Sequence, residues 1–136
     1  MPLRILVVDD HSVVRRGLKS LLSSRQEWEI IDEAGDGQEA LEKATRLKPD
    51  VVLLDVSMPI MDGLEACRRI RKIMPETEIL MVTQHDSPQM MREALAAGAK
   101  GYVVKSDVAR DLLSAVAAVS QHKRFTAHQQ DPAGSK

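Results

Sequence analysis

The sequence predicts an α/β fold, a parallel sheet with helices on both of its faces. Two observations predict it. Short runs rich in β-branched residues recur along the chain, apolar at every position rather than at alternate ones, as strands covered on both faces must be. Between them lie stretches whose apolar residues recur at helical spacing, most of them opened by a capping residue. A length of 136 residues allows one domain with one core.

The elements follow in order. ILVV at 5–8 reads as the first strand, and Val14, Leu18, Leu21 and Leu22 then recur at helical spacing. EIID at 29–32 is the second strand. Asp36 and Glu39, three apart, have the capping-box pattern that opens a helix running to about Lys48. VVLL at 51–54 is the third strand. Asp62 and Glu65 repeat the capping pattern before a helix with Leu64, Cys67, Ile70 and Met74 on one side, and Pro75 stops it. EILMV at 78–82 is the fourth strand, followed by Ser87 as cap and Pro88 at the first helical position. Met91 and Leu95 stripe that helix, and Gly98 serves as its C-terminal cap. GYVV at 101–104 is the fifth strand. Ser106 and Asp107 open a last helix with Val108, Leu112, Ala115, Val116 and Val119 on its apolar side. From 122 the sequence turns polar and loses periodicity, so 122–136 is expected to be a flexible tail or the stub of a linker.

Composition excludes several function classes. A net charge of −1 gives no basic field to draw the chain to nucleic acid or anionic lipid. Trp28, Tyr102 and Phe125 are the only aromatic residues, too few for stacking platforms on single strands. The lone Cys67 cannot form an internal disulfide, which fits a reducing compartment, and it lies on an inward helical face. The N-terminal apolar run is too short for a signal sequence and no window has membrane-spanning length, so a cytoplasmic location and no membrane partner are expected.

In open parallel sheets function gathers at the carboxyl edge of the strands. There the first strand delivers Asp9 and Asp10, the third Asp55, the fourth Thr83 and the fifth Lys105. Each alone has a plain explanation: a helix cap, a loop aspartate, a β-former, a surface lysine. Their coincidence on one edge points to chemistry. Two carboxylates ~4 Å apart repel by about 4 kcal/mol at an intermediate dielectric, so a cation must offset them. Oxygen ligands in a partly hydrated site suit Mg²⁺, and Lys105 supplies a further point charge. Nucleotide folds fit this edge badly, because the turn after the first strand is Asp-Asp-His where a phosphate-binding turn needs glycines. The four histidines, His11, His85, His122 and His128, lack tight metal-ligand spacing, and His85 beside Asp86 reads as a loop pair.

LVVDDH (6–11), VVLLDVSMPIMDG (51–63), MVTQHD (81–86) and AGAKGYVVKS (97–106) together resemble the CheY-like receiver domain of two-component response regulators, most closely the NarL/FixJ type. The resemblance covers about Leu3 to Gln121 and implies a receiver domain over 1–121. The implied fold is a flavodoxin-like (βα)5 three-layer sandwich with strand order 2-1-3-4-5. Asp55 is then the acceptor of a phosphoryl group from a sensor histidine kinase. Mg²⁺ is held by Asp9, Asp10, Asp55 and the backbone carbonyl of Ser57. Lys105 pairs with the phosphoryl oxygens, Thr83 reorients to hydrogen-bond one of them, and Tyr102 is the aromatic that turns inward as Thr83 moves. Pro59 and the turn at 61–63 shape the loop behind the acceptor.

Departures from the family pattern carry expectations of their own. Gln84 follows the threonine where many receivers have a small residue, so it is expected to cover the phosphoryl group and slow its hydrolysis, with Ser57 a second tuning position. Ser106 replaces a proline that many receivers hold in a cis linkage. A cis bond before a non-proline residue costs about 3 kcal/mol, so a trans bond is expected. No helix-turn-helix pattern follows Gln121. The chain is therefore expected to be a piece of a longer regulator rather than a stand-alone receiver, reaching DNA only through a C-terminal domain it does not itself contain. The resemblance leaves room for a homodimer formed on phosphorylation. Two competing functions are an aspartyl-phosphate phosphatase, which typically needs a second acid where this chain has Ser57, and an interaction module that works without phosphate. The intact set Asp9, Asp10, Asp55, Thr83 and Lys105 opposes the latter, and the expected function is phosphoacceptor signalling with only self-catalysed turnover.

Overall fold

A computed structural model describes residues 2–126. Its elements are β1 (Leu3–Val8), α1 (Ser12–Leu22), β2 (Trp28–Ala34), α2 (Gly37–Leu47), β3 (Val51–Leu54), α3 (Gly63–Ile73), β4 (Glu78–Thr83), α4 (Pro88–Ala96), β5 (Gly101–Val104), a 3-10 turn (Lys105–Asp107), α5 (Val108–Ser120) and β6 (Phe125–Thr126). The strands form one sheet in the order β2-β1-β3-β4-β5-β6. All neighbouring pairs are parallel, as alternating strands and helices require.

The unbroken apolar runs are explained by two cores, one on each face. Leu6, Val8, Val52, Leu54, Ile79 and Met81 pack with the buried sides of α2, α3 and α4. Their neighbours in sequence, Ile5, Val7, Val51, Leu53, Leu80 and Val82, pack with α1 and α5. Successive side chains of a strand point to opposite faces, so every position of β3 is buried. The predicted stripe on α3 is observed in part: Cys67 and Ile70 are fully buried, and Leu64 and Met74 pack at the margin.

Local signals set the helix starts. The carboxylates of Asp36 and Asp62 accept from the backbone N–H of Glu39 and Glu65 (2.8 and 2.9 Å). The reciprocal halves of both capping boxes differ from expectation. Glu39 accepts from Gly35 N–H rather than from the cap residue, and Glu65 turns outward to Arg68 and Arg69. Ser87 caps α4 through Met90 N–H (3.0 Å). Gly98 sits at φ 116°, a left-handed conformation that ends the helix and that L-residues with a side chain rarely adopt.

Several boundaries depart from the sequence pattern. β1 begins two residues early, at Leu3, and β2 runs on to Ala34. The last helix starts only at Val108, after the 3-10 turn that holds Lys105. Phe125 and Thr126, which fall in the expected tail, form β6 beside Gly101 and Tyr102. The remainder of that expected tail, from 127, lies outside the described residues. No peptide bond among the described residues is cis, so Lys105–Ser106 is trans as expected.

Candidate functional site at the carboxyl edge

β1, β3, β4 and β5 lie side by side, so the residues that follow them meet at one edge. Asp9 is 1% exposed and Asp55 3%, while Asp10 stays at the surface. Each buried carboxylate divides its oxygens between a backbone role and the site. Asp9 Oδ1 accepts from His11 N–H (2.9 Å), which turns the chain toward α1. Its other oxygen, Oδ2, is buried without a geometrically sound hydrogen bond and meets the Lys105 ammonium as an ion pair at 2.7 Å. Asp55 Oδ1 accepts from Val56 N–H (2.8 Å), and Oδ2 accepts from Lys105 Nζ (3.2 Å).

One ammonium thus serves two buried carboxylates. Burial pushes the Asp55 carboxyl up from the ordinary carboxylate value, against the pull of Lys105 and with the push of Asp9. Burial by itself would lower Lys105, but the close Asp9 carboxylate and the charge of Asp55 outweigh it and raise the ammonium further. The edge is therefore a pre-paired cluster with a surplus of negative charge.

The backbone of Asp55 is pinned from behind. Gly63 N–H donates to Val56 C=O (2.7 Å), which ties the start of α3 to the loop just after β3. A Cβ on Gly63 would fall 1.9 Å from the Asp55 carbonyl oxygen, so only glycine fits there.

Thr83 is fully buried, and its hydroxyl accepts from His85 N–H (3.3 Å). Tyr102 is buried too, its hydroxyl donating to His85 C=O (2.7 Å), and burial drives its ionisation well above the ordinary tyrosine value. The ring that the resemblance expects to turn inward thus already lies inside. Gln84 points to the surface. Ser57 Oγ is hydrogen-bonded to His85 Nε2 (2.8 Å).

His85 is the residue that sequence reasoning undervalued. Its amide, carbonyl and ring engage Thr83, Tyr102 and Ser57 respectively, so it joins the loop after β3 to both Thr83 and Tyr102. Nothing in the pattern around His85-Asp86 marks this, because two of the three partners, Ser57 and Tyr102, come from elsewhere in the chain.

A metal fits the donor set. Asp9, Asp10 and His11 offer ligand atoms within 4.8 Å of one another. The buried Asp9 Oδ2 lacks a good hydrogen bond, and carboxylate oxygens at a partly exposed edge suit a hard divalent cation. Asp55 is not in that cluster but adjoins it through Lys105.

A family model described as the response regulator receiver domain matches residues 5–117 of the chain. The chain belongs to that family. Receiver domains are signalling domains of two-component systems. The response regulator protein VraR of Staphylococcus aureus is 40% identical over 121 residues, 89% of this chain and 58% of that protein. The chain thus spans a little over half the length of that curated relative. A LuxR-family two-component response regulator from Aurantimonas sp. SI85-9A1 superposes with a TM-score of 0.88 at 35% identity, covering 92% of this receiver and 89% of that chain. The signal receiver domain of the putative response regulator NarL from Mycobacterium tuberculosis gives 0.85 at 34% identity, covering 90% and 98%. Among the described residues of the receiver no helix is long and apolar enough to cross a membrane.

Proposed function

We propose that this receiver accepts a phosphoryl group on Asp55 from a sensor histidine kinase, with Mg²⁺ bound at the same edge. The observation that carries the proposal is the sharing of Lys105 Nζ between the buried carboxylates of Asp9 and Asp55. Asp9, Asp10, Asp55 and the Ser57 carbonyl would hold the ion. When bound, it would neutralise phosphoryl oxygen charge and orient the group for in-line attack. An Asp55 oxygen attacks phosphorus as the bond from phosphorus to the donor breaks and the donor leaves with that electron pair. Lys105, already at the carboxylate, turns to the new phosphoryl oxygens. Thr83 gives up His85 N–H and donates its own proton to one of them, while Ser57 and Gln84 set how readily water follows.

The output is a shift between two conformations, read through Thr83, His85 and Tyr102. Taking that equilibrium from 1:99 to 99:1 needs a bias of about 5.5 kcal/mol, more than one hydrogen bond provides, so the metal and lysine contacts must contribute. The receiver works in the cytoplasm, covers 1–121 and turns over only its own phosphoryl group. It acts on transcription through a C-terminal DNA-binding domain of the whole regulator, with a homodimer as one way to couple the two.

Incubation with a small phosphodonor and Mg²⁺ tests the proposal. One base-labile phosphoryl group per chain, absent from Asp55→Asn, is the expected result. Sustained turnover of the donor would make the protein a phosphatase, and no label at all would make it a phosphate-independent interaction module.

A further inference from the structure

Beneath the acidic pair lies a charge relay that the phosphoryl chemistry does not use. Arg15, on α1, extends its guanidinium under the turn after β1. Nη1 donates to the Asp9 carbonyl (2.6 Å) and Nε to Glu33 Oε1 on β2 (2.8 Å). Lys19, one turn further along α1, holds the other Glu33 oxygen. Both hydrogen bonds keep Glu33 below the ordinary carboxylate value. Asp9 N–H is fixed in turn to Ala34 C=O (3.1 Å), the residue after Glu33. Asp9 is thus clamped at both ends of its peptide link to the β2 terminus, by its own amide and by Arg15. The arginine is mostly covered, its side chain 21% exposed.

We propose that Arg15 is a positioning residue for the divalent-cation site, fixing the Asp9 backbone so that the Asp9 and Asp10 carboxylates converge. The inference rests on the reading that those carboxylates hold the ion. A planar fork is what the geometry requires, since one guanidinium spans a carbonyl on β1's exit and a carboxylate on β2. A lysine reaches only one of the two. The sign of the effect separates positioning from charge. A positive group near a cation site repels the ion, so charge alone predicts tighter Mg²⁺ binding when Arg15 is neutralised. Positioning predicts weaker binding for the neutral and the charged replacement alike.

Calorimetric titration of Mg²⁺ into the unphosphorylated protein, with thermal melts of every variant, decides the matter. Arg15→Lys and Arg15→Met are expected to raise the Mg²⁺ Kd about 10-fold, the usual scale for groups that orient metal ligands. Glu33→Gln, which keeps the arginine but loosens its anchor, should shift it the same way by less. Unchanged Kd in Arg15→Lys with a lower melting temperature would reduce Arg15 to a structural role, and tighter binding by Arg15→Met would make it a charge brake. Either result overturns the proposal. Should Arg15→Met fail to fold, Arg15→Lys decides alone. A folded wild type that takes up no Mg²⁺ would sink the reading of the site itself, and this inference with it.

Discussion

Ser57 Oγ and His85 Nε2 lie 2.8 Å apart, joining the loop that carries Asp55 after β3 to the loop after β4. The tie spans the exits of β3 and β4, where Asp55 and Thr83 lie. Ser57→Ala and His85→Ala should therefore each shorten the phosphoryl lifetime, and by the same amount, because either change opens the same bridge. The double variant should be no faster than the singles, a coupling of about 1 kcal/mol in a double-mutant cycle. Loss of labelled phosphate over time measures it, and additive rates would count against a shared bridge.

Gln84 is the other candidate cover over Asp55, and it is exposed. Gln84→Ala should hydrolyse its phosphoryl group faster than wild type by the same assay. Equal or slower loss would leave the cover to Ser57 and His85 alone.

Asp55 costs stability. Its carboxyl is raised by burial, so the neutral form is favoured in the fold and the contribution is most favourable below the ordinary carboxylate value near 3.8. That contribution is lost as pH rises through the elevated folded value, leaving a charged group under strain at neutral pH. Asp55→Asn removes the charge and leaves Lys105 to Asp9, so it should stabilise the protein by about 1 kcal/mol at pH 7. Chemical denaturation at pH 7 and pH 4 should show the gain shrinking at the lower pH. By the same elevation, phosphorylation without metal should fade as pH falls while still above the ordinary range.

Glu78 behaves in the opposite sense. Burial would raise it, but hydrogen bonds from His122 and Arg71 (2.6 and 2.7 Å) prevail and hold it below 4.5. A lowered carboxylate contributes stability above its unfolded value and forfeits it as pH falls through the folded one. Glu78→Gln should cost about 2 kcal/mol at pH 7, the range for hydrogen bonds to a charged group. The difference from wild type should vanish in acid. A deficit that persists there would mean packing, not charge, is lost.

Gly63→Ala should be among the most damaging single-methyl changes available, at about 3 kcal/mol or more, since its Cβ would enter the Asp55 carbonyl. Cys67, by contrast, should ignore thiol reagents in the native state, because burial pushes its thiol up to about 12. Fast native labelling would contradict that burial.

What the sequence made legible follows from how each signal is written. β3 and β4 could be read because both their faces are buried, which leaves Val51–Leu54 and Ile79–Val82 with no polar interruption. Asp9, Asp55, Thr83 and Lys105 could be found because a parallel sheet brings strand ends together whatever their sequence separation. Arg15 and His85 could not. Arg15 looks like any solvated face of an amphipathic helix, and its partners on β1 and β2 are fixed only by tertiary packing. His85 acts largely through its backbone, which sequence does not distinguish. The capping boxes at Asp36 and Asp62 were half legible: the caps are local, but where each glutamate turns depends on neighbours.

β6 is only two residues long, yet it lies against the outer margin of β5 at Gly101 and Tyr102. An uncovered margin there would present free amides and carbonyls, a template on which a second chain could add a strand and begin to aggregate. A protein trimmed after Gln121, where the helical pattern fades, would lose that shield. It should show concentration-dependent association that a version ending after Thr126 does not.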